Sequence, residues 1–376
     1  MKFKRPFFAV LMVFLVLLTS SGSKAVDTAD IDAVRSKGVL DAKDLRVIDR
    51  FVGDAVAELI QTRDFTSIAK VRTVILSRNS SGTDSAEAQY AAQFSESAHK
   101  YISEALERAS VLRGEDHRFK AILNLLILVD GLEDLGLADL AMRWLNDESP
   151  VIRYWAVHCI TSSGFVEKLN ASTGGNPGLA SEIAGQLKGL VDSSSPEILV
   201  LMTEFSGGVE IPEAEELLLQ IADVRIGRYA DWTVEYELLD GAVLKVLDAK
   251  IGPSGEGKAA MGRRFGQLYS YVAQRYVRGQ DFLSAEKKHQ LGSVLVETEI
   301  LCISKRTRIA QSVIKTAVEQ EDYAALMEEH NRLLGDETRA GQLASMLKFD
   351  YGKNPDGSSR IAPLALSEPP KEQVSQ

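Results

Sequence analysis

The chain has 376 residues, 45% of them hydrophobic and 26% charged, with a formal net charge of −10. Such an acidic balance argues against general binding of nucleic acid or anionic membrane by the whole surface. The apolar content is enough to bury a sizeable core, and the length suits two or three ordinary domains or one long array.

Residues 1–25 read as a secretory signal peptide. Lys2, Lys4 and Arg5 form a positive start, Phe7 to Leu18 is an apolar run, and Ser23-Lys24-Ala25 places small residues at a cleavage site. That run is shorter than the ~20 residues of a membrane span, although a retained anchor is the alternative. Removing 25 residues leaves 376 − 25 = 351, and the formal charge becomes 39 − 53 = −14. The expected location is therefore periplasmic or extracellular, and no later stretch is apolar for long enough to span a membrane. Cys159 and Cys302 either pair there or stand as two separate buried thiols, since both lie in apolar helical patterns. Asn79-Ser80-Ser81 and Asn170-Ala171-Ser172 are glycosylation acceptors if the source is eukaryotic.

A helical region is expected over 26–113. Val26 to Lys37 is polar and reads as loosely attached. Asp41 to Gln61 carries Leu45, Ile48, Val52, Val56 and Leu59 along one side. Asp64 can cap a helix holding Phe65, Ile68, Val71 and Ile75. After the loop Asn79 to Thr83, Asp84 and Glu87 have capping-box spacing, and a long helix runs to about Arg113 with Tyr90, Phe94, Tyr101, Ala105 and Leu112 as its stripe. Asp116 to Asp130 is the next helix, and its Leu123 to Asp130 stretch is apolar nearly all round, which places it centrally in the packing.

Repeating helical pairs are expected over 114–250. Leu137, Leu140, Ala141 and Leu145 form one apolar stripe; Asn146 to Ser149 breaks it; Pro150 opens a second helix with Ile152, Ala156, Cys159 and Ile160 on its own stripe. Ser163 to Gly178 reads as a surface loop. A second pair has Ile183, Leu187 and Leu190, a corner at Asp192 to Ser195, then Pro196 and Ile198. A third begins at Pro212 with Leu217, Leu218 and Ile221, turns over Asp223 to Tyr229, and continues to Leu247. Neither helix of a pair can bury its stripe alone, so pairs must stack.

The Leu137–Ser162 stretch resembles a HEAT repeat. Asp147, Pro150, Ile152-Arg153 and Ala156 occupy the places of that family's corner residues. The resemblance covers about 26 residues, and the Pro150-to-Pro196 step of 46 residues lies within the ~40–47 of the family. It implies an all-α fold, an α-solenoid-like array of helical hairpins with flanking capping helices. In such repeats the Asp and Arg usually tie successive corners together. At the second corner Leu199 stands where Arg153 stood, so that tie is missing there.

A helical region follows over 251–350, with helices at Lys258 to Arg278, Ala285 to Ser304, Arg306 to Glu319, Asp322 to Leu334 and Ala340 to Leu347. The segment 351–376 reads as a disordered tail. No strand ladder is found.

Chemical signatures are sparse. Gly252 to Ala259 has P-loop spacing, but Ala259 takes the place of the magnesium-binding hydroxyl, so an inter-helix loop is the better reading and no cofactor is implied. His99, His117, His158, His289 and His330 form no metal motif, and no nucleophile signature occurs. No catalytic residue is assigned. Lys258 to Arg278 stands out as basic and free of acids. On a helix, Arg264, Tyr271, Arg275 and Arg278 are expected largely outward with Gln267 and Gln274 near them, a face suited to an anionic polymer. Its alternative is a helix that neutralises acids of its own chain. The first reading is an exported, non-enzymatic scaffold for an unidentified protein partner, contacted through Arg153, Tyr154, Trp155 and His158. The second is an anionic-polymer module built on the basic helix. The third is an all-helical enzyme without a linear signature.

Overall fold

The computed structural model describes residues 27–79, 85–171, 176–252, 258–308 and 312–370. The expected leader, the 80–83 loop with its Asp84 cap, Ser172, the 253–257 part of the P-loop-like segment and residues 371–376 lie outside the described residues. The described chain is all-α, and its bridges at Gly335–Ala340 and Lys353–Ser359 are isolated. It divides between Leu140 and Ala141 into two compact units, a point inside the HEAT-like stretch rather than at 113 or 250.

The first unit holds α1 (Ala29–Arg35), α2 (Ala42–Gln61), α3 (Phe65–Leu76), α4 (Ser85–Ser110) and α5 (Glu115–Leu132). Contrary to expectation, 29–35 is tied down, because Ile31 and Val34 are buried. Asp41 opens α2 in a capping box: its carboxylate accepts from Lys43 N and Asp44 N, and Asp44 accepts from Asp41 N at 3.1 Å. Asp64 caps α3 by accepting from Ser67 N at 2.8 Å. The long α4 lies close against α2, where a Cβ on Gly53 would stand 2.9 Å from the Tyr101 ring. Leu125, Leu126 and Leu128 of α5 are fully buried, as an all-round apolar helix requires.

A short α6 (Ala138–Met142) spans the division. The second unit continues with α7 (Pro150–Thr161), α8 (Ser163–Ala171), α9 (Pro177–Lys188), α10 (Pro196–Gly208), α11 (Pro212–Ala230), α12 (Leu239–Ile251), α13 (Ala259–Arg278) and α14 (Ala285–Thr298). A π-turn, Glu299–Ile303, leads to α15 (Ser304–Thr307), α16 (Val313–Glu319), α17 (Tyr323–Leu334) and α18 (Gln342–Leu347). Proline occupies the first turn of α7, α9, α10 and α11, where its missing N–H costs nothing. Helices alternate between two layers: α7, α10, α12 and α14 stack in one, and α9, α11, α13 and α17 in the other. This is a repeat-like array in which each pair buries its stripes against the next.

Four expectations are corrected. Ser163–Ala171 is a helix rather than a loop, because Phe165, Val166 and Leu169 share a buried face. The third corner is not at Asp223 to Tyr229; α11 runs through it, since Arg225 and Tyr229, one turn apart, both point into the core. The Arg306 to Glu319 helix breaks at Arg308, which adopts φ +55. The tail expectation fails over 351–370, where Tyr351 and Leu366 are buried. The groundwork for that packing lies in α13: a Cβ on Gly262 would meet Phe349 at 2.6 Å, and one on Gly266 would meet Tyr351 Oη at 2.7 Å. Two glycines one turn apart thus form a notch that seats both rings.

Candidate partner-binding surfaces

At the HEAT-like corner the first helix is only the five residues of α6, and Leu145 follows in a turn. Ser149 makes no side-chain cap; instead its N–H donates to Asp147 Oδ1 at 2.8 Å. Arg153 Nη1 donates to the carbonyls of Asp147 at 2.8 Å and Glu148 at 3.2 Å. The arginine therefore fastens its own corner from within, rather than the tie to a successive corner that the resemblance implied. The buried stripe is as expected, with Ile152, Ala156, Cys159 and Ile160 inside. On the other side Tyr154, Trp155 and His158 are half-buried and cluster. The Tyr154 and Trp155 rings meet edge-on at 5.9 Å, and His158 lies 5.2 Å from Trp155 and 5.9 Å from Tyr154. Three aromatic rings gathered on one turn, each partly in solvent, are the composition that interface centres favour.

The basic helix does not present the expected face. Arg264 forms a two-point pair with Asp223, Nε to Oδ1 at 2.9 Å and Nη2 to Oδ2 at 2.8 Å. Arg278 Nη1 pairs with Glu368 at 2.8 Å, Arg263 with Asp350 at 3.0 Å, and Lys258 with Glu215 Oε2 at 2.6 Å. Tyr271 and Arg275 are buried, with exposures of 3% and 2%. The reason is position: α13 packs against α11, α12, α14, α17 and α18, so almost no side of it faces water. The four residues do not come together as a cation surface; they are spent on acids and rings of their own chain.

Sequence reasoning missed the polar knot beside α13. Arg225 and Asp240 are both fully buried and joined by Nε–Oδ1 at 2.7 Å and Nη2–Oδ2 at 3.0 Å. Tyr229 Oη donates to Asp240 Oδ2 at 2.7 Å. Burial, the largest influence, would push the Arg225 guanidinium down in pKa; the Asp240 charge and hydrogen bonds, with Tyr229 and Glu237, together outweigh it and the net shift is upward. Burial, then Asp240, drives the Tyr229 hydroxyl well above its ordinary value. Arg225 also donates to the Glu235 carbonyl at 3.0 Å, which holds the 231–238 turn with Trp232 and Tyr236 at φ +59 and +55. Close by, Arg275 lies 5.3 Å over the Trp232 ring and 3.6 Å from Glu237. Burial lowers its pKa, with Glu237 partly offsetting. The available signal was a charged residue and a tyrosine one turn apart on the apolar face of α11.

His330 Nε2 hydrogen-bonds Ser270 Oγ at 2.8 Å and its Nδ1 lies 2.9 Å from Asn331 Oδ1. The spacing imitates a nucleophile and its base, yet Ser270 is fully buried and also accepts from Gln274 at 2.8 Å, so it has no path to a substrate. Among the described residues no group of three or more His, Cys, Asp or Glu converges as metal ligands do. An open groove of about 930 Å³ runs between α14 and α16, floored by Tyr276, Val296 and Val318 with Lys288, His289 and Glu297 at its edge. Cys159 and Cys302 are both buried and not joined in a disulfide, and burial pushes the Cys302 thiol up to about 12. No helix among the described residues is long and apolar enough to cross a membrane.

No family model matches the chain, and no curated protein matches it. A solved structure described as an engineered protein is similar over 85% of this chain and 98% of its own, at 12% identity and a TM-score of 0.25. A likeness that distant carries no argument, so fold and function rest on the chain's own residues.

Proposed function

We propose that the chain is an exported, non-enzymatic scaffold of HEAT-like helical pairs that binds another protein through the exposed side of α7. The observation that carries this reading is the half-buried cluster of Tyr154, Trp155 and His158. Aromatic side chains supply large contact area at small entropic cost, and a rigid two-layer array keeps them in place. Arg153 supports the site by fixing the corner and is a positioning residue. Export rests on the residue pattern of 1–25.

The test is affinity capture from envelope and secreted fractions with residues 26–376, at low and moderate salt, beside a Tyr154→Ala, His158→Ala variant. A stoichiometric protein held at moderate salt by the natural chain and lost from the variant supports the reading. A partner held equally by both, or acidic polymer recovered only at low salt, overturns it.

A further inference from the structure

Residues 363–368 run along α13 outside any helix or turn, held chiefly by their main chain. Gln267 clamps Leu364 from both sides: its Oε1 accepts from Leu364 N at 2.8 Å and its Nε2 donates to Leu364 O at 3.2 Å. Gln274 repeats the grip, accepting from Leu366 N at 2.6 Å and donating to Leu364 O at 3.1 Å. The glutamines are seven residues apart, two turns, so they share one face of the helix. Trp232 Nε1 donates to Ser367 O at 3.1 Å, and Arg278 pairs with Glu368 at 2.8 Å.

Side chains contribute less. Leu366 is 2% exposed, whereas Leu364 is 45% exposed and Ala365, Ser367 and Glu368 also face water. The site therefore reads a non-helical backbone, one leucine-sized side chain, and an acid two residues later. Leu364 and Leu366, two residues apart, both turn main-chain groups toward the helix, and of the two only Leu366 buries its side chain. Beside Trp232, the buried Arg275 Nε and Nη1 and Glu237 Oε1 have no hydrogen-bond partner.

We infer that the α13 groove is a docking site for a non-helical segment of a partner protein, of the pattern Leu-x-acid, and that residues 363–368 occupy it as an internal stand-in. The inference rests on the protein-binding reading but uses a different surface from α7. Release exposes a single buried side chain, and water can take over the main-chain hydrogen bonds that are given up. The segment before it stays behind on its own contacts, with Phe349 and Tyr351 in the glycine notch and Arg263 on Asp350. The tethered occupant competes at high effective concentration, so the groove opens to partners whose segment binds more tightly or at high local concentration.

The test is fluorescence anisotropy with a labelled peptide of residues 361–370, on the full chain and on a Leu366→Asp chain, which releases the stand-in. The released chain is expected to bind the peptide at least tenfold more tightly than the natural chain, and adding Gln274→Leu is expected to remove at least tenfold of that. A peptide carrying aspartate at the Leu366 position should not bind. Should Leu366→Asp fail to fold, a protease site placed between Arg360 and Ile361, cut after folding, frees the groove in the folded chain. A folded, released chain that ignores the peptide overturns the inference, as does binding indifferent to Gln274→Leu. A dimer of the natural chain that exchanges the segment between copies overturns the assignment to a partner. A Tyr154→Ala, His158→Ala chain should bind the peptide unchanged, which separates failure here from failure at α7.

Discussion

Replacing Asp240 by leucine should destabilise the second unit more than any surface change. Arg225 is wholly enclosed and meets the carboxylate through two hydrogen bonds, 2.7 and 3.0 Å long. Without Asp240 the guanidinium stays buried and uncompensated, and breaking such a pair from one side costs ~3–5 kcal/mol. Tyr229 loses its acceptor at the same time. For a unit of this size 1 kcal/mol moves Tm by ~3 °C, so a loss of ~4 kcal/mol lowers it by ~12 °C. Removing the whole knot is a different matter. A chain with Arg225→Met, Tyr229→Phe and Asp240→Leu buries only apolar groups, and the Glu235 and Tyr236 carbonyls it frees belong to exposed residues. Such replacements are often neutral, so the triple variant should recover most of the loss. Thermal unfolding followed by far-ultraviolet circular dichroism on the natural, single and triple chains checks this. A single variant within ~2 °C of the natural chain, or a triple variant worse than the single, would refute the argument that the cost is an unpaired buried charge.

Burial holds the His330 imidazole below its ordinary pKa, so the unfolded chain takes up the proton first as pH falls. Stability is then level above about pH 6.5 and declines below it, and His330→Gln should flatten the decline in melts between pH 7 and 5. Gly262→Ala forces the Phe349 ring aside from a Cβ 2.6 Å away, with an expected cost of ~1–3 kcal/mol; hydrogen exchange at the Leu364 and Leu366 amides should quicken in the variant. Cys159 and Cys302 should resist alkylation in the folded chain and react in urea, because both are buried and the Cys302 thiol sits at about 12. A disulfide-linked form on non-reducing gels would contradict this.

The helical pairs were legible because apolar residues recur at turn spacing and proline marks the starts of α7, α10 and α11. Local pattern also located the capping aspartate Asp64, whose partner lies within one turn; Asp41 and Asp322 cap α2 and α17 in the same way. What stayed hidden depends on distant residues. Whether Arg275 points to water is decided by Glu237 and Trp232, and whether 361–368 is ordered is decided by Gln267 and Gln274. A segment that docks through its main chain shows no apolar periodicity of its own, so composition reads it as disorder. The aromatic side of α7 was legible as a group, since Tyr154, Trp155 and His158 share one turn, whereas the corner role of Arg153 needed the carbonyls it reaches.

The α13 face also has a history during synthesis. Gln267 and Leu364 are 97 residues apart, and Trp232 and Ser367 are 135 apart. A chain made from its amino end therefore completes the helices of this groove long before its closing segment leaves the ribosome. During that interval the nascent chain displays the bare glutamine clamps and the leucine pocket to whatever is nearby. Translation order alone gives a chaperone or a co-synthesised partner first access to a surface that the finished chain keeps covered.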